Sequence, residues 1–243
     1  MNRRIMALSL AVAMMLTAVA ALVASAQIES ASGAIDTNGI KFHKKNFSDP
    51  LNIDNPYFPL VPGTTFIYNG TTEGDPSSDV LVVTDETKDV DGITARVIHD
   101  YAYENGELAE FTDDWYAQDD DENVWYMGEF TTEVETGSHE GSWEAGVHGN
   151  KPGIFMEANP QVGDSYQQEF GRGIAEDSAE IVRLTDSVCV TYGCFDNVLE
   201  TKETTPLEPG VEEHKYFAPG VGDIKEQVVS GGSEILELTG TES

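Results

Sequence analysis

Basic residues are scarce in this chain, which has 13 lysines and arginines against 44 aspartates and glutamates and a formal net charge of −31. Such a surface repels the phosphates of nucleic acids and the anionic head groups of lipids, so we expect no nucleic-acid partner. A saline habitat, bound divalent cations or a need for solubility each explain this acidity. The acidic residues are spread along the whole chain, which favours the saline habitat.

Long apolar runs are absent after residue 24, so no later segment is predicted to cross a bilayer. The one long run, Ile5 to Ala24, follows Asn2-Arg3-Arg4 and precedes the small-residue site Ala24-Ser25-Ala26. This order is typical of a secretory signal peptide. We expect cleavage near Ala26, no membrane insertion afterwards, and a location that is secreted, periplasmic or at the cell surface. The predicted domains are a signal peptide (1–26), a flexible leader (27–45) and a single β-rich domain (46–243).

Cysteine is also rare, with only Cys189 and Cys194 in the stretch CVTYGC. A close pair in an exported protein favours a disulfide over free thiols. If Thr191-Tyr192 is a two-residue turn, the two cysteines lie directly opposite each other on a hairpin. A loop this small is expected to stabilise the fold by about 2 kcal/mol.

Helical periodicity is missing, whereas short β-branched and aromatic runs alternate with turn residues along the chain. This pattern predicts an all-β fold, a curved antiparallel sheet or open β-barrel built from hairpins. A meander from Ile93 to Glu135, with a tight Asn105-Gly106 turn, is its clearest part, and residues 70–78 are expected to form a loop. The proline-rich segment 46–63 cannot form a central strand and is expected to pack over the sheet.

The stretch Asp113 to Glu129 reads DDWYAQDDDENVWYMGE. A turn centred on Asp120-Asp121 would place one Trp and one Tyr on each face of a hairpin. Either both faces are buried, one of them under the proline-rich segment, or one is exposed and stacks on a sugar ring or planar ligand. The candidate aromatic surface for a ligand consists of Trp115, Tyr116, Trp125, Tyr126 and Trp143.

The same stretch contains part of the residue pattern of a calcium-binding loop. Asp119, Asp121 and Asn123 match the first three ligands of an EF-hand, but Val124 and Phe130 replace its glycine and final glutamate. Ca²⁺ at these three residues is the one cofactor considered. The alternative metal set His139, Glu140, Glu144 and His148 lacks the H-E-x-x-H spacing of zinc proteases.

Catalytic signatures are lacking, since the chain has no G-x-S-x-G elbow, P-loop or dinucleotide fingerprint. Glycoside hydrolysis needs only two carboxyls across a cleft. Glu129, Glu144 and Glu157 lie near aromatic residues in the sequence and are the first candidates for such a pair. A non-enzymatic role is the main expectation, and an extracellular carbohydrate hydrolase is the alternative.

Four blocks carry a resemblance to known proteins: NPYFPLVPGT (55–64), WYAQDDDENVWYMGE (115–129), GSWEAGVHGNKPGI (141–154) and TPLEPGVEEHKYFAPGVGDIKE (205–226). With these blocks the chain resembles a group of exported bacterial and archaeal proteins that has no established activity. The resemblance therefore assigns no catalytic residue. Two departures stand out, because the group's pattern leads us to expect glycine at Glu122 and a threonine-like residue at Cys194.

The segment HKYFAPGVGDIKE (214–226) also resembles the strand-turn-strand ending of half-barrel proteins of the cell envelope, among them lipoprotein carriers. This resemblance concerns the fold alone. The expected function is a binding or structural role in the envelope or extracellular space, with a glycan, a lipid or another envelope component as partner. A lipid or small-molecule carrier with a hollow barrel is a further alternative.

Overall fold

The computed structural model describes residues 37–243, without the side chains of residues 185 and 186. The predicted signal peptide and residues 27–36 lie outside the described residues. The described chain contains a 3₁₀ turn (Lys44–Asn46) and no α-helix. Its fourteen strands are β1 (Thr65–Thr72), β2 (Asp75–Val90), β3 (Ile93–Glu104), β4 (Glu107–Gln118), β5 (Val124–Glu133), β6 (Trp143–Glu144), β7 (Lys151–Met156), β8 (Ser165–Gln167), β9 (Glu169–Phe170), β10 (Ser178–Val190), β11 (Gly193–Thr204), β12 (Glu212–Ala218), β13 (Gly222–Ser230) and β14 (Glu234–Glu242).

The strands form one antiparallel sheet in the order β8-β10-β11-β12-β13-β14-β1-β2-β3-β4-β5-β7-β9, with β6 paired to β5. Strands β8 and β9 lie at opposite ends of this order, yet only Gln168 separates them in the chain. The sheet must therefore curl until its two ends meet. No strand pairing joins these two end strands, so the sheet is curved but not closed into a barrel. The predicted all-β fold with a curved antiparallel sheet is confirmed.

Turn chemistry explains the hairpins. In the predicted meander β3-β4-β5, Asn105 and Gly106 have φ angles of 52° and 83°, which the primed turns of tight hairpins require. The loop expected over residues 70–78 is wrong, because Glu73 and Gly74 make a second tight turn with φ angles of 52° and 89°. Strand β1 consequently pairs with β2 over its whole length.

The proline-rich segment packs over the sheet as predicted. Ile53, Phe58 and Leu60 are buried. The ring of Phe58 lies 4.3 Å from that of Phe155 and 5.3 Å from that of Tyr116, measured between centroids. Apolar side chains between the prolines thus cover one end of the curved sheet, where exposing them to water would be unfavourable.

Residues 37–45, the end of the predicted leader, contact the sheet. Thr37 bridges to Tyr166 in β8, and the ring of Phe42 lies 5.1 Å from that of Trp125 in an edge contact. Buried aromatic contacts of this kind hold the segment against the sheet, although its sequence has no hydrophobic periodicity. The ordered domain therefore begins before residue 46.

The predicted disulfide between Cys189 and Cys194 is present at the end of the β10-β11 hairpin. The two cysteines are register partners, and Val190 pairs with Gly193 beside them. The turn is the two-residue turn that the sequence predicts.

Along β4 and β12, the inner face of the curved sheet changes from apolar to charged, mostly acidic, side chains. On β4 the inward side chains run from Tyr116 to Asp114, Thr112 and Glu110, all buried. On β12 they run from Phe217 to Lys215 and Glu213, also buried. One end of the interior is thus an ordinary aromatic core, and the other end is lined with carboxyl groups.

Candidate functional site

The five aromatic residues of the candidate surface are buried, with exposed fractions of 5% for Trp115, 1% for Tyr116, 0% for Trp125, 0% for Tyr126 and 3% for Trp143. They form no exposed aromatic surface, so the expectation of one is wrong. The alternative, burial of both hairpin faces, is what the structure has. Phe42 and Phe47 cover Trp125 from the outside, at centroid distances of 5.1 and 6.4 Å.

The expected pairing of the hairpin is wrong by one residue. Tyr116 pairs with Tyr126 rather than Trp125, and their rings stack with centroids 4.8 Å apart. The cause is the connection between β4 and β5, which has five residues, 119–123, instead of a two-residue turn. A shift of one residue moves each side chain of one strand to the other face relative to its partner. A bulge between Trp115 and Tyr116 shifts the pairing once more.

The resemblance to exported proteins led us to expect glycine at Glu122, and the structure gives the reason. Glu122 has a φ of 69°, in the left-handed region that glycine occupies without strain. The backbone shape of this connection therefore agrees with the glycine expected there, although this chain carries a glutamate.

The calcium candidates Asp119, Asp121 and Asn123 all lie in this connection. Both carboxylate oxygens of Asp119, however, already accept hydrogen bonds from within the chain. One carboxylate oxygen, Oδ1, accepts hydrogen bonds from the backbone N–H groups of Asp121 and Asn123 at 3.0 and 2.9 Å. The other, Oδ2, accepts the indole N–H of Trp125 at 2.8 Å and the Asn123 amide at 3.0 Å. These donors occupy the oxygens that a cation would need, so the arrangement stabilises the loop and gives no support to an EF-hand-like site.

An open cleft of about 680 Å³ lies beside the same connection. It is formed where the segment after residue 37, the 119–123 connection and the segment after β7 meet. We define the cleft by its lining residues: Asn38, Gly39, Ile40, Lys41, His43, Asn46, Asp119, Asp121, Asn123, Glu157, Ala158, Asn159, Gln161 and Asp164. Nearly all of its side chains are polar, and acidic groups outnumber basic ones.

Glu157 is the most perturbed group in the cleft. Its Oε1 accepts a hydrogen bond from the amide of Asn38 at 3.0 Å. Burial raises the pKa of Glu157 to about 7, and the neighbouring carboxyl of Asp164 also raises it. Glu157 therefore exchanges a proton near neutral pH at the wall of the cleft.

The three carboxylates considered for hydrolysis do not come together. Glu129 is buried in the interior, where its carboxyl oxygen Oε2 lies 3.2 Å from the Tyr126 hydroxyl oxygen. Glu144 forms an ion pair with Lys88 at 3.0 Å. Only Glu157 lines the cleft, so the proposed pairs are not formed.

The histidines are separated as well. His139 lies within hydrogen-bonding distance of the Thr131 carbonyl, at 2.9 Å. His99 lies 2.9 Å from Asp113, and His214 lies 2.8 Å from Glu200. Among the described residues, no group of metal-ligating side chains includes a histidine. The alternative metal set is therefore not formed.

Sequence reasoning missed the acidic layer of the interior. We define the acidic layer as the carboxyl-bearing inward residues of the sheet together with the lysine among them: Asp79, Asp100, Glu110, Asp114, Glu129, Glu169, Glu203, Glu213, Glu226, Glu234 and Lys215. Inward charged residues at alternate positions, such as Glu213 and Lys215 on β12, were a signal in the sequence. In a chain this acidic, the same alternation occurs on exposed faces, so the signal lacked specificity.

Burial raises the pKa values of several carboxyl groups in the acidic layer. Desolvation raises the pKa of Asp114 to about 7 although the Tyr126 hydroxyl donates to it at 2.5 Å. It raises the pKa of Asp79 to about 6 and that of Glu234 to about 7. For Glu169, desolvation and nearby acids raise the pKa well above its ordinary value. These shifts favour the protonated form of the carboxyl groups, or a bound positive charge that replaces the protons.

Comparisons with known proteins provide no family. The chain matches no protein-family model and no curated protein. Two solved structures are similar to this chain at a low level. One is a protein of Bacteroides fragilis described as exported and as having a YmcC-like fold, with 15% identity, a TM-score of 0.47, and coverage of 77% of this chain and 99% of that chain. The other, from Parabacteroides distasonis and described as a lipoprotein, has 13% identity, a TM-score of 0.43, and coverage of 76% and 98%. Likeness at this level assigns no function.

Within residues 37–243, no helix has the length and apolar character needed to cross a bilayer.

Proposed function

We propose that the protein works outside the cytoplasm as a non-enzymatic binding protein, secreted, periplasmic or at the cell surface. Two features support the location: the signal-peptide pattern of residues 1–26 and the disulfide between Cys189 and Cys194. The cleft is the proposed binding surface, since it is a concave polar site held by three separate segments of the chain.

The lining of the cleft selects the class of ligand. Asp121, Glu157 and Asp164 present carboxyl oxygens, which accept hydrogen bonds and attract positive charge. Asn38 and Asn159 add amide groups, whereas the amide of Asn123 already bonds Asp119 and Ala158. A small ligand rich in hydroxyl and amino groups matches this lining, and an amino sugar of an envelope glycan is such a ligand. The acceptor-rich lining is the observation that carries the proposal.

The same geometry favours binding over hydrolysis. Of the three carboxyls considered for hydrolysis, Glu129, Glu144 and Glu157, only Glu157 lines the cleft. The described residues therefore do not place the predicted pair of acids across it.

The proposal is tested by calorimetry with a trimer of glucosamine and, as the neutral counterpart, a trimer of glucose. The wild-type protein is expected to bind the amino sugar and to bind the neutral trimer less tightly. The double substitution Asp121→Asn and Asp164→Asn is expected to weaken the binding at least about tenfold, because it removes two charged acceptors. Asp196→Asn is the matched control, since Asp196 is exposed and does not line the cleft.

Absence of binding to both trimers, or equal binding by the double variant and the wild type, would overturn the proposed function of the cleft. Release of new reducing ends from either trimer would instead favour the carbohydrate hydrolase.

A further inference from the structure

Three glutamates of the acidic layer converge on one point of the interior. Glu213 is on β12, Glu226 on β13 and Glu234 on β14, which are neighbouring strands of the sheet. Each offers one carboxylate oxygen, and these oxygens all lie within 4.8 Å of one another. Oxygens that share a Ca²⁺ ion at about 2.3–2.6 Å are separated by up to about 5 Å, so the spacing fits a single ion.

Two of these glutamates have buried oxygens without a partner. Oε1 of Glu213 and Oε1 of Glu234 accept no hydrogen bond within the described chain, and each residue is 6% exposed. A buried carboxylate oxygen normally has a donor or a cation, because leaving it unpaired is costly. These two oxygens therefore indicate a ligand that supplies positive charge.

Lys215 does not supply enough of that charge. Its Nζ atom lies 3.7 Å from Glu213, 3.5 Å from Glu226 and 3.7 Å from Glu203. Charge-assisted hydrogen bonds are normally about 2.7–2.9 Å long, so all three contacts are loose. Glu203 and Glu213 are also direct register partners, an arrangement in which two like charges repel.

One neighbouring group positions Glu234, and one glutamate of the three is partly exposed to solvent. The hydroxyl of Thr72 donates to Oε2 of Glu234 at 2.8 Å, which fixes the carboxylate and leaves its Oε1 for another partner. The side chain of Glu226 is 15% exposed, so an ion can reach the site from solvent.

We propose that Glu213, Glu226 and Glu234 form a binding site for one divalent cation of the Ca²⁺ class. Their ligand atoms are all carboxylate oxygens, which hard cations such as Ca²⁺ prefer, whereas Zn²⁺ is usually held by nitrogen and sulfur. The ion neutralises glutamates that Lys215 leaves unpaired and joins three strands of the sheet. This site is separate from the cleft and from the 119–123 connection, and it does not depend on the proposed function.

The test is equilibrium dialysis of the chelator-treated protein against CaCl₂ at neutral pH in about 0.15 M NaCl, which screens weak binding to the acidic surface. Bound calcium is counted by atomic emission. The wild type and Asp196→Asn are expected to bind one more calcium ion per chain than the double variant Glu213→Gln and Glu234→Gln. The single variant Glu226→Gln is expected to bind at least about tenfold more weakly, because it removes one charged ligand.

Thermal unfolding gives a second readout. Calcium is expected to raise the melting temperature of the wild type and of Asp196→Asn, and to leave that of the double variant unchanged. Without calcium, the double variant is expected to melt above the wild type, because the substitutions remove buried repelling charges. If the double variant fails to fold, the calcium affinity of Glu226→Gln tests the site instead. Equal calcium retention by the variants and the wild type, or an equal melting shift from NaCl at matched ionic strength, would overturn the site.

Discussion

Trp125 donates its indole N–H to the carboxylate of Asp119 at 2.8 Å, and both residues are buried. The sequence suggested these two residues for different sites, the aromatic surface and the calcium loop. In the structure they stabilise one another. The bond closes the five-residue connection between β4 and β5 and explains why the hairpin departs from the two-residue turn.

Asp119→Ala is expected to lower the free energy of unfolding by about 3 kcal/mol. The substitution removes hydrogen bonds to a charged acceptor and leaves the Trp125 indole and the Asn123 groups buried without a partner. Denaturant titration followed by tryptophan fluorescence measures the loss. Asp121→Ala is the control and is expected to change stability by less than about 0.5 kcal/mol, because Asp121 is exposed. A loss for Asp119→Ala that appears only with calcium would instead indicate a metal role.

Gly128→Ala is expected to destabilise the protein by about 3 kcal/mol or more. Gly128 has a φ of 133°, and a Cβ atom there would lie 2.4 Å from the carbonyl oxygen of Trp143. Neither the backbone strain nor the clash can be relieved by moving a flexible side chain. Gly193→Ala is the matched control, since its nearest neighbour would be 3.9 Å away. Thermal melting of the two variants compares them, and equal melting temperatures would contradict the close packing around β6.

Stability is expected to fall as the pH rises from about 4 to about 7 in the presence of a chelator. Burial raises the pKa of Asp114 and Glu234 to about 7 and that of Asp79 to about 6, whereas such groups titrate near 4 in an unfolded chain. Between these values the folded protein binds more protons than the unfolded chain. The stabilisation is therefore complete below about pH 4 and is lost as the pH rises through 6 and 7.

Melting temperatures at constant ionic strength measure this fall, which is expected to be on the order of 3 kcal/mol for each of Asp114 and Glu234. Asp114→Asn keeps an acceptor for the Tyr126 hydroxyl but cannot ionise, so its fall should be smaller than that of the wild type. A stability that rises between pH 4 and pH 7 would show that the acidic layer is not the dominant titrating element.

Removal of the disulfide is expected to cost about 2 kcal/mol of unfolding free energy, because it closes a loop of only six residues. The double substitution Cys189→Ala and Cys194→Ala tests this by denaturant titration. The reduced wild type should match the double variant. A reduced protein with unchanged stability would show that the β10-β11 hairpin holds its turn without the bond.

Local chemistry made part of the fold predictable. Asn105-Gly106 specifies a tight turn by itself, and the spacing of Cys189 and Cys194 sets their register, so both hairpins could be derived from a few adjacent residues. The prolines of residues 46–63 exclude regular strands, which predicted the covering segment. The all-β class followed from many such short signals along the chain.

Tertiary contacts decided the rest. The pairing of Tyr116 with Tyr126 depends on the cap that Asp119 forms with Trp125, which no turn propensity reports. The aromatic residues are buried because Phe42 and the proline-rich segment, distant in sequence, fold over them. The acidic composition, the prediction of export and the main strand pattern thus came from the sequence alone. Which acids became buried, and which of them meet, depended on how far the sheet curls, because only that curvature brings inward side chains of separate strands into one low-dielectric space.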